Sequence, residues 1–551
     1  MRTPVVLYLI ALGVRASLAL LFPDAAYPDS AYYVEVARSI AAGHGLSVNF
    51  VWIFAEVGNR IPDPAVLPIA SNAHWLPLAS FIQAPFISLL GPTAIASAIP
   101  MILVGSLVAP LTWLIARDAG ARPLVATTAG LISAVPGAVT VLLAQPETIA
   151  IQGPIVAAAL WLTARGLKGD GRSFAVAGLL AGLASLARVD GVLLAGTVGL
   201  VWLADRLRWW RNRHGRQSWA RVDDRLPIPV LPGLLALVGF LVLMVPWWAR
   251  QIATFGSISP TTSNGAALWI RSHDEWNSIT AAPSFQAWLA QGIPAIIGSR
   301  LVGLTAAATQ FAVLVCGVVL LPFVLIGALA RRHSPDFQPW FAFAFVTFAA
   351  ATFVYPLHAG EGTFIHTAIG LAPHASILAV EGLLLVLSLF GGRGRRSSDG
   401  RPAVMAAGLL VIVMAGSAVA FARSTQAAWA EVRDQRVALA TELDRLGAPQ
   451  TDRLMSIDAG SIAYWTGHPG IVTPSDPLDT IQAAAKAYEV RWLVLERTMV
   501  VPTLAPILAG GPRPSWIGPP AFTLPSNDGG PPRLALYPVC ASLGDPRCSG
   551  G

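Results

Sequence analysis

Apolar runs of membrane length, separated by short loops that carry the clusters of Lys and Arg, constrain this chain more than any other feature. A helix needs about 20 apolar residues to cross the hydrocarbon core of a bilayer, and basic loops stay on the cytoplasmic side. The first run, "PVVLYLIALGVRASLALLF", reaches that length just behind Arg2. It is longer than the apolar part of a secretory signal and Arg15 interrupts it, so it reads as a retained anchor. Composition agrees. Hydrophobic residues make up 54% of the 551 and charged residues only 12%, against roughly 25% charged in soluble domains. The formal net charge of +7 could suit nucleic acid, but the basic residues sit in clusters between apolar runs, the pattern that orients membrane helices.

Arg2 places the N-terminus in the cytoplasm, and the first span delivers Pro23 onward to the outside. A single span over about 95–116 keeps Arg117 and Arg122 inside; the preceding "LPLASFIQAPFISLLG" then lies in the interface. Spans over about 124–142 and up to Thr163 follow, then the pair "FAVAGLLAGLASLA" and "GVLLAGTVGLVWLA". The most basic loop, "RLRWWRNRHGRQSWARVDDR", falls inside. Further spans near 228–248, 301–330, 339–357, 366–390 and 403–422 have inner loops bearing Arg331, Arg332, Arg393, Arg395, Arg396 and Arg401. The prediction is a polytopic all-α membrane protein of about eleven spans with the C-terminus outside. Residues 1–422 form the membrane module, including an external loop over 23–94, and 423–551 form a small extracytoplasmic α/β domain. "LMSI" and "WLVLE" have strand length with flanking turn signals, and the Gly- and Pro-rich tail reads as loop. Cys540 and Cys548 could pair in an oxidising compartment; Cys316 lies in an apolar run.

Much of the reactive chemistry falls on the outer side. Asp29 and Glu35 lie in the first loop, His74 precedes "WLPL", and Glu147 follows the third span. Arg188 and Asp190 occupy a turn, "LWIRSHDEW" carries Arg271, His273, Asp274 and Glu275, and His358, Glu361 and His366 sit at the mouth of the tenth span. Cations can hold a phosphate, and an acid can take a proton from an attacking hydroxyl. Plainer roles compete. Asp29 stands where an N-cap would, Glu147 could be an ordinary loop acid, and Arg15 could snorkel or pair inside the bundle. The histidines lack the spacing of a metal site, with no HExxH and no clustered His and Cys.

Along nearly its whole length the chain resembles the GT-C superfamily of membrane glycosyltransferases, in the branch of protein O-mannosyltransferases and aminoarabinose transferases. The resemblance is carried by "PDSAYYVEVARSIAAGHGL", "HWLPLASFIQAPFISLLG", "AQPETIAIQ", "GLASLARVDGVLL", "PWWARQIATFG", "GTFIHTAIGLAPHASILAVEGL" and "SIDAGSIAYWTGHPGIV". It implies a donor sugar on a polyprenyl phosphate, delivered to the outer face of the plasma (inner) membrane. It implies Asp29 as general base and Glu147 as the second loop acid. The family's Lys-Pro-Pro-Leu element survives only as His74-Trp75-Leu76-Pro77-Leu78; the lysine is missing, and His74 could substitute for it only if protonated or as a neutral donor. Arg271 is the first candidate for the donor phosphate, with His366 second and Arg188 as a further cation. The monophosphate leaving group predicts no obligatory metal, with a divalent ion left open. The acceptor is a lipid, a polysaccharide or a protein. A transporter or lipid flippase, or a non-catalytic envelope protein of the same fold, are the alternative functions.

Overall fold

The computed structural model describes residues 2–52, 56–214, 226–260, 268–390 and 400–540. Part of the basic loop after residue 214, the cations Arg393, Arg395 and Arg396, and Cys548 with its pairing to Cys540 lie outside the described residues.

Among those residues, seven helices are long and apolar enough to cross a membrane, from Arg2–Leu21 to Arg401–Arg445. An eighth span arises if Pro123–Ala134 and Gly137–Ala144, bent by 54° at their junction, count as one. Shorter apolar helices, Leu78–Leu90, Gly171–Ala187, Leu321–Arg331 and Gln338–Phe353, accompany them. Of the eleven or so spans expected, at least one is interrupted. The run expected over 301–330 is a helix Ile293–Val315, a break at residues 316–320, and a second helix Leu321–Arg331. Gly317 and Val318 both take positive φ at that break, a conformation that cannot continue a right-handed helix.

Broken helices free backbone carbonyls, which must find donors in an apolar bundle. Arg15, buried in the first helix, supplies one. Its Nη1 lies 3.4 Å from the carbonyl of Ala134, the residue at the 54° bend, and 3.4 Å from that of Ala11. Around the bundle, Leu231, Leu234, Val238 and Val242 of Val230–Phe255 are exposed, as are Ile297, Leu301 and Val302, and Met405, Leu409 and Ile412. An apolar belt of this extent is a lipid-facing surface. The chain is a multi-pass membrane protein.

At one end of the bundle lies a six-stranded sheet. Its spatial order is Phe50–Val51, Gly470–Val472, Arg453–Ser456, Val490–Glu496, Leu534–Pro538, Phe522–Leu524. The first four strands are parallel and the last two pair antiparallel. Two expectations change here. The edge strand Phe50–Val51 comes from the first loop, so the sheet is not built by the C-terminal segment alone. The tail, expected as loop, supplies the buried strand Leu534–Pro538. A third change concerns the boundary at residue 423. Helix Arg401–Arg445 runs 45 residues without interruption, well past the 20 or so that a bilayer needs. Its far end packs on the sheet through Leu439 and Leu443, against Leu454, Trp492 and Leu536.

Helix Pro28–Ala41 is held between the two layers. Tyr32, Tyr33 and Val36 share one buried cluster with Met101 and Ile151 of the bundle and with Phe50, Ala463 and Val472 of the sheet layer. The helix's apolar face is covered by protein on both sides. That sandwich fixes the position of the acid in its first turn.

Candidate active site

Pro28 opens the helix at a position where its missing N–H has no intrahelical partner to lose. Tyr27 is the N-cap, in extended backbone. Ser30 closes the first turn: its Oγ accepts from the Tyr27 N–H at 3.2 Å and donates to the Tyr27 carbonyl at 2.8 Å. Asp29 is left out of this exchange. Its carboxylate instead faces the Arg188 guanidinium, Oδ2 to Nη1 3.9 Å, and accepts a hydrogen bond from Trp75. Burial pushes its pKa above the usual carboxylate value, with Arg188 and Trp75 pulling part of the way back.

Glu147 sits in the tight turn between the bent pair and helix Ile149–Leu167, whose first N–H bonds its carboxylate. A carboxylate there also meets the positive end of the helix dipole. Its side chain is 0% exposed against 29% for Asp29, so of the two acids only Asp29 opens to an incoming group. Glu147 accepts a hydrogen bond from Tyr27 Oη at 2.9 Å and lies 3.5 Å from His366 Nδ1. Burial and the charge of Asp29 push it up to about 7.

Arg188 follows helix Gly171–Ala187 in extended backbone and leads into a tight turn over Val189–Gly191. Gly191 is required by space there, since a Cβ would come 2.1 Å from the Ala184 carbonyl oxygen. Asp190 in that turn holds Arg188, Oδ1 to Nε 3.2 Å, and its other oxygen accepts from the Thr367 hydroxyl. Burial opposes the charge of Arg188, but Asp190, Tyr33, Asp29 and Glu147 outweigh it and keep the guanidinium above its usual pKa. The side chain is a permanent cation between two aspartates.

Of the sequence candidates, Asp29, Glu147, Arg188 and His366 come together. His74 lies near enough for Arg188 to act on it. Burial, then Arg188, drive it down to about 3, so it is a neutral imidazole and cannot replace a lysine's charge. Its ring meets Trp75 at 5.0 Å and Trp276 at 6.0 Å. Arg271 is engaged elsewhere: Nε donates to Glu275 Oε1 at 2.6 Å, Nη1 reaches the Ala287 carbonyl at 3.3 Å, and its own N–H bonds Glu275 Oε2 at 2.8 Å. The sequence reading missed Tyr27, Trp75 and Thr367, and it noted Asp190 only as a turn residue. Tyr27 lies two residues before Asp29 and Trp75 directly after His74, but nothing in one sequence says that Tyr27 and Glu147, or Trp75 and Asp29, meet.

The ligand atoms of Asp29, Glu147 and His366 all lie within 4.8 Å of one another. Two carboxylate oxygens and an imidazole could hold a divalent cation.

In comparisons with solved structures, the chain matches ArnT from Cupriavidus metallidurans in the apo state at a TM-score of 0.58 and 14% identity, covering 98% of this chain and 99% of that one. The same protein bound to undecaprenyl phosphate matches at a TM-score of 0.55, again 14% identical over 98% and 99% of the two chains. The chain shares the fold of ArnT. Within it, residues 73–220 match the family of dolichyl-phosphate-mannose-protein mannosyltransferases. That stretch contains His74, Trp75, Glu147, Arg188 and Asp190, and ends before Arg271 and His366. No curated protein sequence matches the chain.

Proposed function

We propose that this protein transfers a sugar from a polyprenyl-phosphate donor to an acceptor hydroxyl at the outer face of the plasma (inner) membrane, with inversion at the anomeric carbon. The observation that carries the reading is the Asp29 carboxylate. It is released from capping by Ser30, partly open, raised in pKa, and set 3.9 Å from a fixed guanidinium on a GT-C fold. A raised carboxylate pKa makes a stronger base toward a hydroxyl proton.

In the proposed step the acceptor oxygen attacks the anomeric carbon as its proton passes to Asp29. The bond from that carbon to the phosphate oxygen breaks, and the polyprenyl phosphate departs with the electron pair. Arg188, held by Asp190, keeps Asp29 ionised and oriented and adds positive potential where negative charge grows. Glu147 and His366 back Asp29 from the sealed side. Arg271 serves the donor phosphate by exchanging Glu275 for it, and neutral His74 serves only as a hydrogen-bond partner. A monophosphate leaving group needs less charge neutralisation than a diphosphate, so transfer proceeds without an obligatory metal and continues in a chelator. The acceptor is a lipid, a polysaccharide or a protein.

The test uses the purified full chain in lipid nanodiscs, a radiolabelled polyprenyl-phosphate sugar and a cell-envelope extract as acceptor. The expected result is label leaving the lipid for the acceptor fraction, with none transferred from a nucleotide sugar. Transfer from the nucleotide sugar alone, or lipid-borne label that no acceptor fraction takes up, would contradict the proposal.

A further inference from the structure

A second polar site lies along the same helix, away from Asp29. Glu35, Arg38, Ser39 and Ala42 follow one another at helical i, i+3, i+4 and i+7 spacing and share a face, whereas Asp29 is on another. The chain then turns back over that face. Gly43 and Gly45 take φ of +83° and +70°, which residues with a side chain rarely adopt, and bring Ser47 and Asn49 opposite the helix. Glu35, Arg38, Ser39, His44, Ser47 and Asn49 line the resulting half-open pocket of about 230 Å³.

Its walls are preformed. Arg38 is fixed by Glu35 at 2.7 Å, by the Pro92 carbonyl at 3.2 Å and by the Tyr464 ring, 4.6 Å beneath the guanidinium carbon. The Ser39 and Ser47 hydroxyls lie 2.7 Å apart, and either can donate. Glu35 and Arg38 neutralise each other, so a phosphate or an ammonium group would meet no uncompensated charge. The pocket offers polar groups from Ser39, His44, Ser47 and Asn49, with apolar wall from Ala42, Val48 and Pro68 between them. A sugar ring presents the same mix, hydroxyls at its edge and C–H bonds on its faces, so its chemistry matches these walls.

We infer that this pocket binds a neutral, hydroxyl-rich sugar ring as a subsite for a part of the acceptor remote from the reacting hydroxyl. Sugar binding stands on the pocket alone; its assignment to the acceptor rests on the glycosyl transfer proposed above. Six to thirteen residues separate Asp29 from this face, about 9–20 Å along the helix axis. An acceptor that fills both sites is therefore longer than one sugar unit.

Saturation-transfer NMR on the full chain in nanodiscs reads the binding, with maltose, cellobiose and mannobiose as neutral probes and inorganic phosphate and choline as charged ones. At least one disaccharide is expected to bind wild type. Ala42→Phe, which fills the pocket from an exposed position just past the helix end, should weaken that binding at least tenfold, and Asn49→Ala should weaken it severalfold. Asp29→Asn should leave it unchanged. No bound disaccharide in wild type, equal binding in Ala42→Phe, or phosphate or choline binding more tightly than every sugar would each overturn the site. A separate arm measures transfer kinetics. Ala42→Phe should raise the KM for the acceptor at least tenfold with the donor KM unchanged; an unchanged acceptor KM alongside lost sugar binding would overturn the acceptor assignment. If wild type transfers nothing, the binding arm still reads the pocket, so the two failures are distinguishable.

Discussion

Asp29, Glu147 and Arg188 form an arrangement in which one charge sets the behaviour of the others. A general base works deprotonated, so the rate should fall as pH drops through the pKa of Asp29. Burial raises that pKa, so the acid limb is expected above the usual carboxylate range. Arg188 holds the pKa down, and removing it should shift the limb to higher pH. A pH profile of kcat/KM for Arg188→Gln against wild type checks this; a limb that stays in place or moves down would contradict it. Asp190→Asn should move the limb the other way and more weakly, because it removes the negative charge that partly offsets Arg188 and leaves the guanidinium to act on Asp29. At this scale the sequence was informative about which residues, and silent about which of them meet. Asp29, Glu147, Arg188 and His366 were legible as polar punctuation in apolar surroundings. The commitment of Arg271 to Glu275 was readable in principle as an i, i+4 pair, but "RSHDEW" also offers His273 and Asp274, and only the structure says which side chain the guanidinium takes.

Two elements tie the sheet to the bundle, and they were legible to different degrees. Helix Arg401–Arg445 carries Arg436, 0% exposed, into a buried group with Asp458 at 3.0 Å and Glu496 at 2.6 Å. Burial raises the Asp458 pKa to about 6, with Arg436 opposing the rise, so loss of the arginine would leave the acids uncompensated. Arg436→Ala should therefore destabilise the chain by about 3–5 kcal/mol, the usual result of breaking one side of a buried ion pair. Thermal unfolding in detergent checks it, and a melting temperature within error of wild type would contradict it. The apolar part of this helix was evident from composition. Its continuation past residue 423 was not, because charged residues with good helix propensity look alike in a soluble helix and in the extension of a span. The strands Arg453–Ser456 and Val490–Glu496 were expected from short apolar runs. Phe50–Val51 is only two residues long and pairs with a strand over 400 positions away, so no local pattern marks it.

Over the whole molecule, the reactive side chains gather where the bundle meets the sheet, with helix Pro28–Ala41 packed between them. A transporter would be expected to set its charged groups and broken helices near the membrane midplane. Here Arg15, buried within the first span, bonds helix carbonyls, while Asp29, Glu147 and Arg188 lie at helix ends. The apolar helices were legible because lipid imposes a length on sequence, and two strands of the sheet because short apolar runs flanked by turn signals mark them. The breaks were not, because a bent or interrupted helix is as apolar as a straight one. The central claim is that Asp29 takes the proton of the acceptor. Asparagine is about the same size and keeps hydrogen-bonding ability but cannot act as the base, and Ser30 already closes the turn, so Asp29→Asn should fold normally. The direct measurement is single-turnover transfer from a polyprenyl-phosphate sugar by the purified, folded variant and by wild type in the same lipid. The variant is expected to lose about a hundred- to ten-thousandfold in rate, with donor binding intact; transfer at the wild-type rate would contradict the account.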